Sequence, residues 1–196
     1  MGGIGHNNGP SMEPGFGFRK LAWTKARRDL LPSLPLEVVR IHVARAKRLG
    51  LPYKTYATIR ATTGHDIVAF LFSGNALDLR RGQVAVGPDV ALRLRDLEGA
   101  AARLAAVYAP ARAGDVVAAQ PTLLDAARAA PGFTATWRET RDAIRGLVTD
   151  RRLSCGEVVL VAATSVERGW CAAAGLGGVI DRAVMFEPAS NPAAVA

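Results

Sequence analysis

EVVLVAATSVE, residues 157–167, is the stretch that decides the fold class. Its first part, residues 157–163, is a short apolar run rich in valine, which is typical of a buried strand. The following Thr164 and Glu167 have the spacing of a capping box, in which each side chain satisfies a main-chain N–H at the start of a helix. A strand that leads directly into a capped helix predicts a βα unit, and repeated βα units favour an α/β fold.

Apolar runs and helical patterns alternate in the same way through residues 65–187. The other apolar runs, taken as strands, are residues 67–73, 115–119 and 182–186. The helical patterns are residues 88–108, 121–130 and 137–149, the last with a capping box at Thr136 and Glu139, and the stretch from Thr164 to Gly175. Periodicity alone leaves open whether residues 67–72 are a strand or a buried helix. We predict an α/β body with a small, mostly parallel sheet flanked by helices.

A basic helical hairpin is predicted ahead of this body, in residues 19–64. Pro35 suits the first position of a helix, and Gly50 suits its C-terminal stop. A second helix is expected from Pro52 to about residue 63, with Gly64 as its stop. The spacing of a helix-turn-helix motif is filled by Ala46, Gly50, Tyr56 and Ile59, although Tyr56 is bulkier than the usual aliphatic residue.

Charge is concentrated in the same segment. Residues 19–60 hold 11 Lys and Arg against 2 Asp and Glu, a net charge of +9, so the rest of the chain carries −1 of the total of +8. A one-signed surface favours a polyanionic partner, and nucleic-acid or polyanion binding is therefore the leading hypothesis. The residues predicted to contact nucleic acid are Arg45, Lys47, Arg48, Lys54, Thr55, Thr58 and Arg60. The alternative explanation is a composition that prefers arginine, with solvated helix faces.

A second hypothesis places function at the carboxyl ends of the strands, where ligands collect in parallel sheets. It describes a small α/β enzyme or anion-binding domain, and leaves its catalytic residues unknown. The residues that the predicted strand-to-helix junctions supply for an anion are Asn75, Gln120, Thr164, Ser165 and Arg168. Helix capping alone also explains Asn75, Thr164 and Ser165.

Metal and cofactor chemistry find little support. The three histidines and two cysteines, His6, His42, His65, Cys155 and Cys171, are scattered without the spacing of a tetrahedral ligand set, so we expect no metal and no cofactor. The glycines of residues 175–178 follow a helix rather than a strand, which is the wrong context for a dinucleotide loop. Two cysteines, apolar runs too short for a membrane span and the lack of an export signal at the N-terminus predict a cytoplasmic protein without a membrane partner.

The two ends of the chain are predicted to be flexible. Residues 1–18 are rich in glycine, asparagine and proline, and residues 188–196 lack an apolar pattern. Residues 4–10, IGHNNGP, resemble a short Ile-Gly-His-Asn-Asn-Pro-Pro lead of assorted bacterial and phage-related proteins, with Gly9 as the difference. That resemblance implies no activity. A third hypothesis for the whole chain is an accessory or phage-type structural subunit with no chemistry of its own.

Overall fold

The computed structural model describes residues 34–79 and 82–186. The predicted flexible lead, residues 1–18, and tail, residues 188–196, lie outside the described residues, as does the first part of the basic segment. The chain divides into two compact units, residues 1–39 and 40–196. In the first unit the described residues are 34–39, where the first helix begins.

Five strands form one sheet in which every neighbouring pair is parallel. The strands are β1 (Ala69–Ser73), β2 (Ala102–Val107), β3 (Ala126–Ala129), β4 (Val158–Ala162) and β5 (Gly178–Asp181). Their order across the sheet is β3-β2-β1-β4-β5. The predicted α/β class is confirmed, the sheet is parallel throughout, and the open question about residues 67–72 is answered by strand β1.

Seven helices occur in the part of the chain that the structure describes. They are α1 (Leu36–Arg48), α2 (Tyr53–Thr63), α3 (Pro88–Asp96), α4 (Ala113–Ala119), α5 (Trp137–Asp150), α6 (Ser165–Ala174) and α7 (Arg182–Phe186), and a 3-10 turn, Cys155–Glu157, precedes β4. Both predicted capping boxes are present, at the starts of α5 and α6. None of these helices has the length and apolarity needed to cross a bilayer. That α1 and α2 form a basic hairpin ahead of the α/β body stays a prediction.

The sheet is buried on both faces, which explains why its central strands are continuous apolar runs. Successive side chains of β1 alternate between the faces. Phe70 and Phe72 lie in a core cluster that also holds buried residues of α1 to α4. Leu71 lies in the opposite cluster, with Ile144 of α5 and Trp170 of α6.

The predicted helix over residues 88–108 is wrong in its second half. Helix α3 ends at Asp96, the chain turns through Gly99 at a φ of 67°, and residues 102–107 form β2. Leu104, which continues the helical stripe of α3 in the sequence, is a fully buried strand residue. Alanine-rich ARLAAV has a helical composition, and its pairing with β1 overrides that local preference.

Three further predictions are corrected at the two edges of the sheet. Residues 115–119 belong to helix α4, residues 126–129 form strand β3 instead of part of a helix, and residues 182–186 form helix α7 instead of the last strand. The last strand, β5, lies just before α7. It contains Gly178, where a Cβ atom would lie 3.2 Å from Ile59. A small residue is needed for that close approach. Because Gly178 is one of the glycines of residues 175–178, which are typical of a helix end, the sequence pattern did not reveal this strand.

Candidate functional site

The strand order places a crevice at the carboxyl ends of β1 and β4. From β1 the chain moves to β2 and β3 on one side of the sheet, and it then returns to β4 and β5 on the other side. Connections that leave two adjacent parallel strands in opposite directions open a crevice at their carboxyl ends, and ligands bind in such crevices. β1 ends at Ser73 and β4 ends at Ala162, so the segments that follow these residues border the crevice.

A depression of about 210 Å³ lies at this position. The described residues that form its walls are Asn75, Asp78, Ala163 and Arg182. Asn75 and Asp78 belong to the turn after β1, Ala163 follows β4, and Arg182 follows β5. Asp78 adopts a left-handed backbone conformation, with a φ of 58°, which is uncommon outside glycine. The lining therefore contains one amide and two side chains of opposite charge.

The guanidinium group of Arg182 is held in place at the wall of the depression. Its Nε donates a hydrogen bond of 2.9 Å to the carbonyl of Ala76. Its central carbon lies 5.5 Å from the centroid of the Phe186 ring, in a cation–π contact. Neither terminal nitrogen of Arg182 has an acceptor among the described residues. The group consequently presents two positively charged donors at a fixed position.

A fully buried carboxylate lies next to the depression. Oε1 of Glu167 accepts hydrogen bonds from Asn75 Nδ2 at 2.8 Å and from the Tyr108 hydroxyl at 3.2 Å. Oε2 accepts from the main-chain N–H groups of Ala163 at 2.8 Å and Thr164 at 3.0 Å. The carboxylate thus occupies the N–H groups of the two residues that precede α6.

Tyr108, the residue after β2, joins this network to an exposed aromatic side chain. Burial and the nearby carboxylate of Glu167 raise the pKa of the Tyr108 hydroxyl, which therefore stays protonated and donates to that carboxylate. The ring of Tyr108 is parallel to that of Phe133, with 5.9 Å between their centroids. Phe133 is 81% exposed, so an aromatic surface borders the sheet edge.

The predicted anion-binding residues do not all meet at one point. Thr164 caps α6 by accepting from the N–H of Glu167, and Ser165 is exposed at the start of that helix. Arg168 forms an exposed ion pair with Asp181. The five predicted residues are Asn75, Gln120, Thr164, Ser165 and Arg168, and of these only Asn75 lines the depression.

Gln120 is buried and serves the loop between β1 and α3. Its Nε2 donates to the carbonyl of Val84 at 2.6 Å, and its Oε1 accepts from the N–H of Val86 at 3.0 Å. Both ends of the amide are therefore engaged by the main chain. These contacts give Gln120 a structural role, and its predicted role in anion binding stays untested.

Four residues of the site were missed by reasoning from sequence. Arg182 and Tyr108 each follow a strand, β5 and β2, that the sequence patterns did not reveal. Glu167 was recognised only as part of a capping box, and Asp78 lies in the turn after β1. Correct strand boundaries would have identified Arg182 and Tyr108, because polar residues at carboxyl ends of parallel strands are candidates for ligand binding.

Arg45, a predicted nucleic-acid contact, is engaged within the fold. Its Nε donates to Asp66 at 2.8 Å, and its terminal nitrogens donate to the carbonyls of Ile67 at 2.7 Å and Ala100 at 3.0 Å. These contacts connect α1 to the segments that lead into β1 and β2. Arg48 is exposed and donates to the carbonyl of Gly99 at 3.2 Å.

The other predicted contacts of the basic segment are more accessible. Lys47 and Lys54 are exposed, whereas Arg60 is half-buried, with 3.9 Å between its nitrogen and an oxygen of Asp66. Thr55 is half-buried, and the exposed Thr58 donates to the carbonyl of Lys54 within α2. The accessible positive charge of the two helices is therefore smaller than the sequence suggested.

Neither a metal site among the described residues nor a known relative indicates a function for the protein. Within residues 34–79 and 82–186, no three His, Cys, Asp or Glu side chains are grouped so that they could hold a metal ion. No protein-family model matches the chain, and neither a curated protein nor a solved structure shows significant similarity to it.

Proposed function

We propose that the protein binds a small anionic ligand, with a phosphate or carboxylate group, in the depression at the carboxyl ends of β1 and β4. The observation that carries this proposal is the position of Arg182, whose anchored guanidinium lines the depression. A guanidinium fork matches the oxygens of phosphates and carboxylates, and it remains charged at any physiological pH.

The anchoring of Arg182 supports binding for an energetic reason. An arginine that is ordered only on binding loses side-chain entropy, which weakens the complex by roughly 0.5 to 1.5 kcal/mol. The hydrogen bond to Ala76 and the contact with Phe186 hold Arg182 before a ligand arrives.

The proposal is tested by a thermal-shift screen of phosphate monoesters and small carboxylic acids, followed by calorimetry. A ligand present at one hundred times its dissociation constant stabilises the folded state by about 2.7 kcal/mol. Arg182→Gln is expected to abolish the shift, whereas Arg138→Gln, at an 83% exposed side chain on α5, should retain it. Arg168→Gln should also retain it, because Arg168 pairs with Asp181. A shift that survives Arg182→Gln would contradict the proposal.

A second candidate function is the binding of nucleic acid or another polyanion through α1 and α2. It is favoured by the exposure of Lys47, Arg48 and Lys54 in a segment with a high positive charge. Phosphate contacts release counterions, so the affinity for duplex DNA should fall with salt at a log–log slope near −0.9 per contacted phosphate.

Fluorescence anisotropy with labelled duplex DNA and RNA over a salt series tests this second candidate. The triple variant Lys47→Ala, Arg48→Ala and Lys54→Ala should reduce the slope by about one for each lost contact while the protein stays folded. Lack of binding at low salt, or a slope that the triple variant does not change, would argue against it.

A further inference from the structure

The carboxylate of Glu167 determines which neighbouring side-chain atoms donate a hydrogen bond to it and which are left to accept one. An ionised carboxylate can only accept hydrogen bonds. The two main-chain N–H groups at Oε2 can only donate, and Oε1 receives Asn75 and Tyr108. Since the side chain is fully buried, water does not compete for these positions. All four partners of Glu167 therefore act as donors toward it.

The amide of Asn75 is oriented by this arrangement. Its nitrogen points inward to Glu167, and its carbonyl oxygen accepts no hydrogen bond from any described residue. Asn75 is half-buried and lines the depression, so the atom that it offers to a ligand is this acceptor oxygen. Tyr108 likewise gives its only hydroxyl proton to Glu167, which leaves its oxygen as an acceptor.

We infer that the ligand carries a hydroxyl or amino donor for Asn75 in addition to the anionic group that binds Arg182, as hydroxy acids, amino acids and hydroxylated phosphate esters do. This inference rests on the proposed function. Glu167 is a positioning residue: it touches no ligand and acts through the orientation of Asn75. A ligand with a carbonyl in place of the donor would bring two acceptors together, which weakens binding about tenfold.

Glu167→Gln is the variant that separates this role from a purely structural one. Glutamine has the same shape, and its carbonyl oxygen can still accept from the N–H groups of Ala163 and Thr164. Its NH2 group then faces Asn75, whose amide must rotate to accept from it. The rotation carries the NH2 group of Asn75 to the depression. The variant should therefore prefer an acceptor on the ligand, whereas a structural defect would weaken both kinds of ligand alike.

The experiment compares matched ligands that differ only by a hydroxyl and a carbonyl: L-lactate with pyruvate, and (1-hydroxyethyl)phosphonate with acetylphosphonate. Dissociation constants are measured by NMR titration with the wild type, Glu167→Gln, Asn75→Ala and Arg182→Gln. We expect the wild type to favour the hydroxyl ligand about tenfold, Glu167→Gln to reverse the preference, and Asn75→Ala to remove it. In the free wild type, the Asn75 side-chain NH2 signals should exchange slowly with solvent, and exchange should be faster in Glu167→Gln.

The outcomes distinguish this inference from the proposed function. Binding that depends on Arg182 but discriminates neither pair of ligands, or an unchanged ratio in Glu167→Gln, overturns the inference and leaves anion binding standing. If Glu167→Gln does not fold, an unchanged preference in Asn75→Ala overturns it equally. If no ligand binds the wild type in an Arg182-dependent way, the proposed function fails and this inference fails with it.

Discussion

Replacing Arg45 by alanine should destabilise the protein strongly, because this side chain connects three parts of the fold. The change removes hydrogen bonds to Asp66, to the carbonyl of Ile67 and to the carbonyl of Ala100. The Arg45 side chain is 20% exposed and that of Asp66 is 36% exposed, so water can replace part of what is lost. Hydrogen bonds to a charged group contribute roughly 1.5 to 3 kcal/mol each, and solvent screening lowers the sum to an expected loss of about 3 kcal/mol.

Urea unfolding followed by circular dichroism measures this loss in the free energy of unfolding. Arg48→Ala is the matched control, since Arg48 is three residues away on the same helix, is exposed and makes one hydrogen bond, to Gly99. It should lower the free energy of unfolding by less than about 1 kcal/mol. The reasoning is refuted if Arg45→Ala is no more destabilising than Arg48→Ala. A variant of normal stability with weakened nucleic-acid binding would instead support the sequence-based role of Arg45.

Two further predictions concern the backbone and acid stability. Gly50→Ala should lower the free energy of unfolding by about 2 kcal/mol, because Gly50 has a φ of 60° and a Cβ atom there would displace the guanidinium of Arg93. The control is Gly64→Ala, which should lower it by about 1 kcal/mol, because Gly64 has a φ of 73° but open space around it. Equal losses of the two variants in thermal unfolding would contradict this prediction. Burial raises the pKa of Asp125, but the hydrogen bonds and charge of Arg103 outweigh burial and hold it below its ordinary 3.8. The stability that Asp125 contributes is therefore complete above pH 3.8 and is lost as the pH falls through the lowered pKa. The free energies of unfolding of the wild type and Asp125→Asn should consequently become more similar as the pH is lowered. A difference between them that does not change with pH would argue against this prediction.

The fold class could be predicted because its signals are local. β4 is an apolar run buried on both faces, and α6 begins with a capping box that needs only four consecutive residues. Strand β2 could not be predicted in the same way, because alanine and arginine occupy much of it and these residues are also common in helices. Edge strand β3, with the sequence AARA, is a strand only because β2 pairs with it.

The candidate site was predicted less well than the fold, and the reason is distance along the chain. Asn75 and Glu167 are 92 residues apart, and Tyr108 and Glu167 are 59 residues apart. No periodicity or short motif contains information about such contacts. The general rule that ligands bind at the carboxyl ends of parallel strands pointed to the edge of the sheet where the depression lies and to one residue of its lining, Asn75.

Glu167 shows how a local motif can conceal a long-range role. In the sequence it completes a capping box, and the structure confirms that contact with Thr164. The same carboxylate also accepts hydrogen bonds from Asn75 and Tyr108. Because its negative charge lies at the N-terminus of α6, it compensates the partial positive charge of that helix end from within the protein. An external anion at that helix end would meet a buried negative charge and no unoccupied N–H group of residues 163 and 164. Among the described residues that line the depression, the positive charge is that of Arg182, and for this reason Arg182, rather than Arg168, is the residue whose replacement decides the proposal.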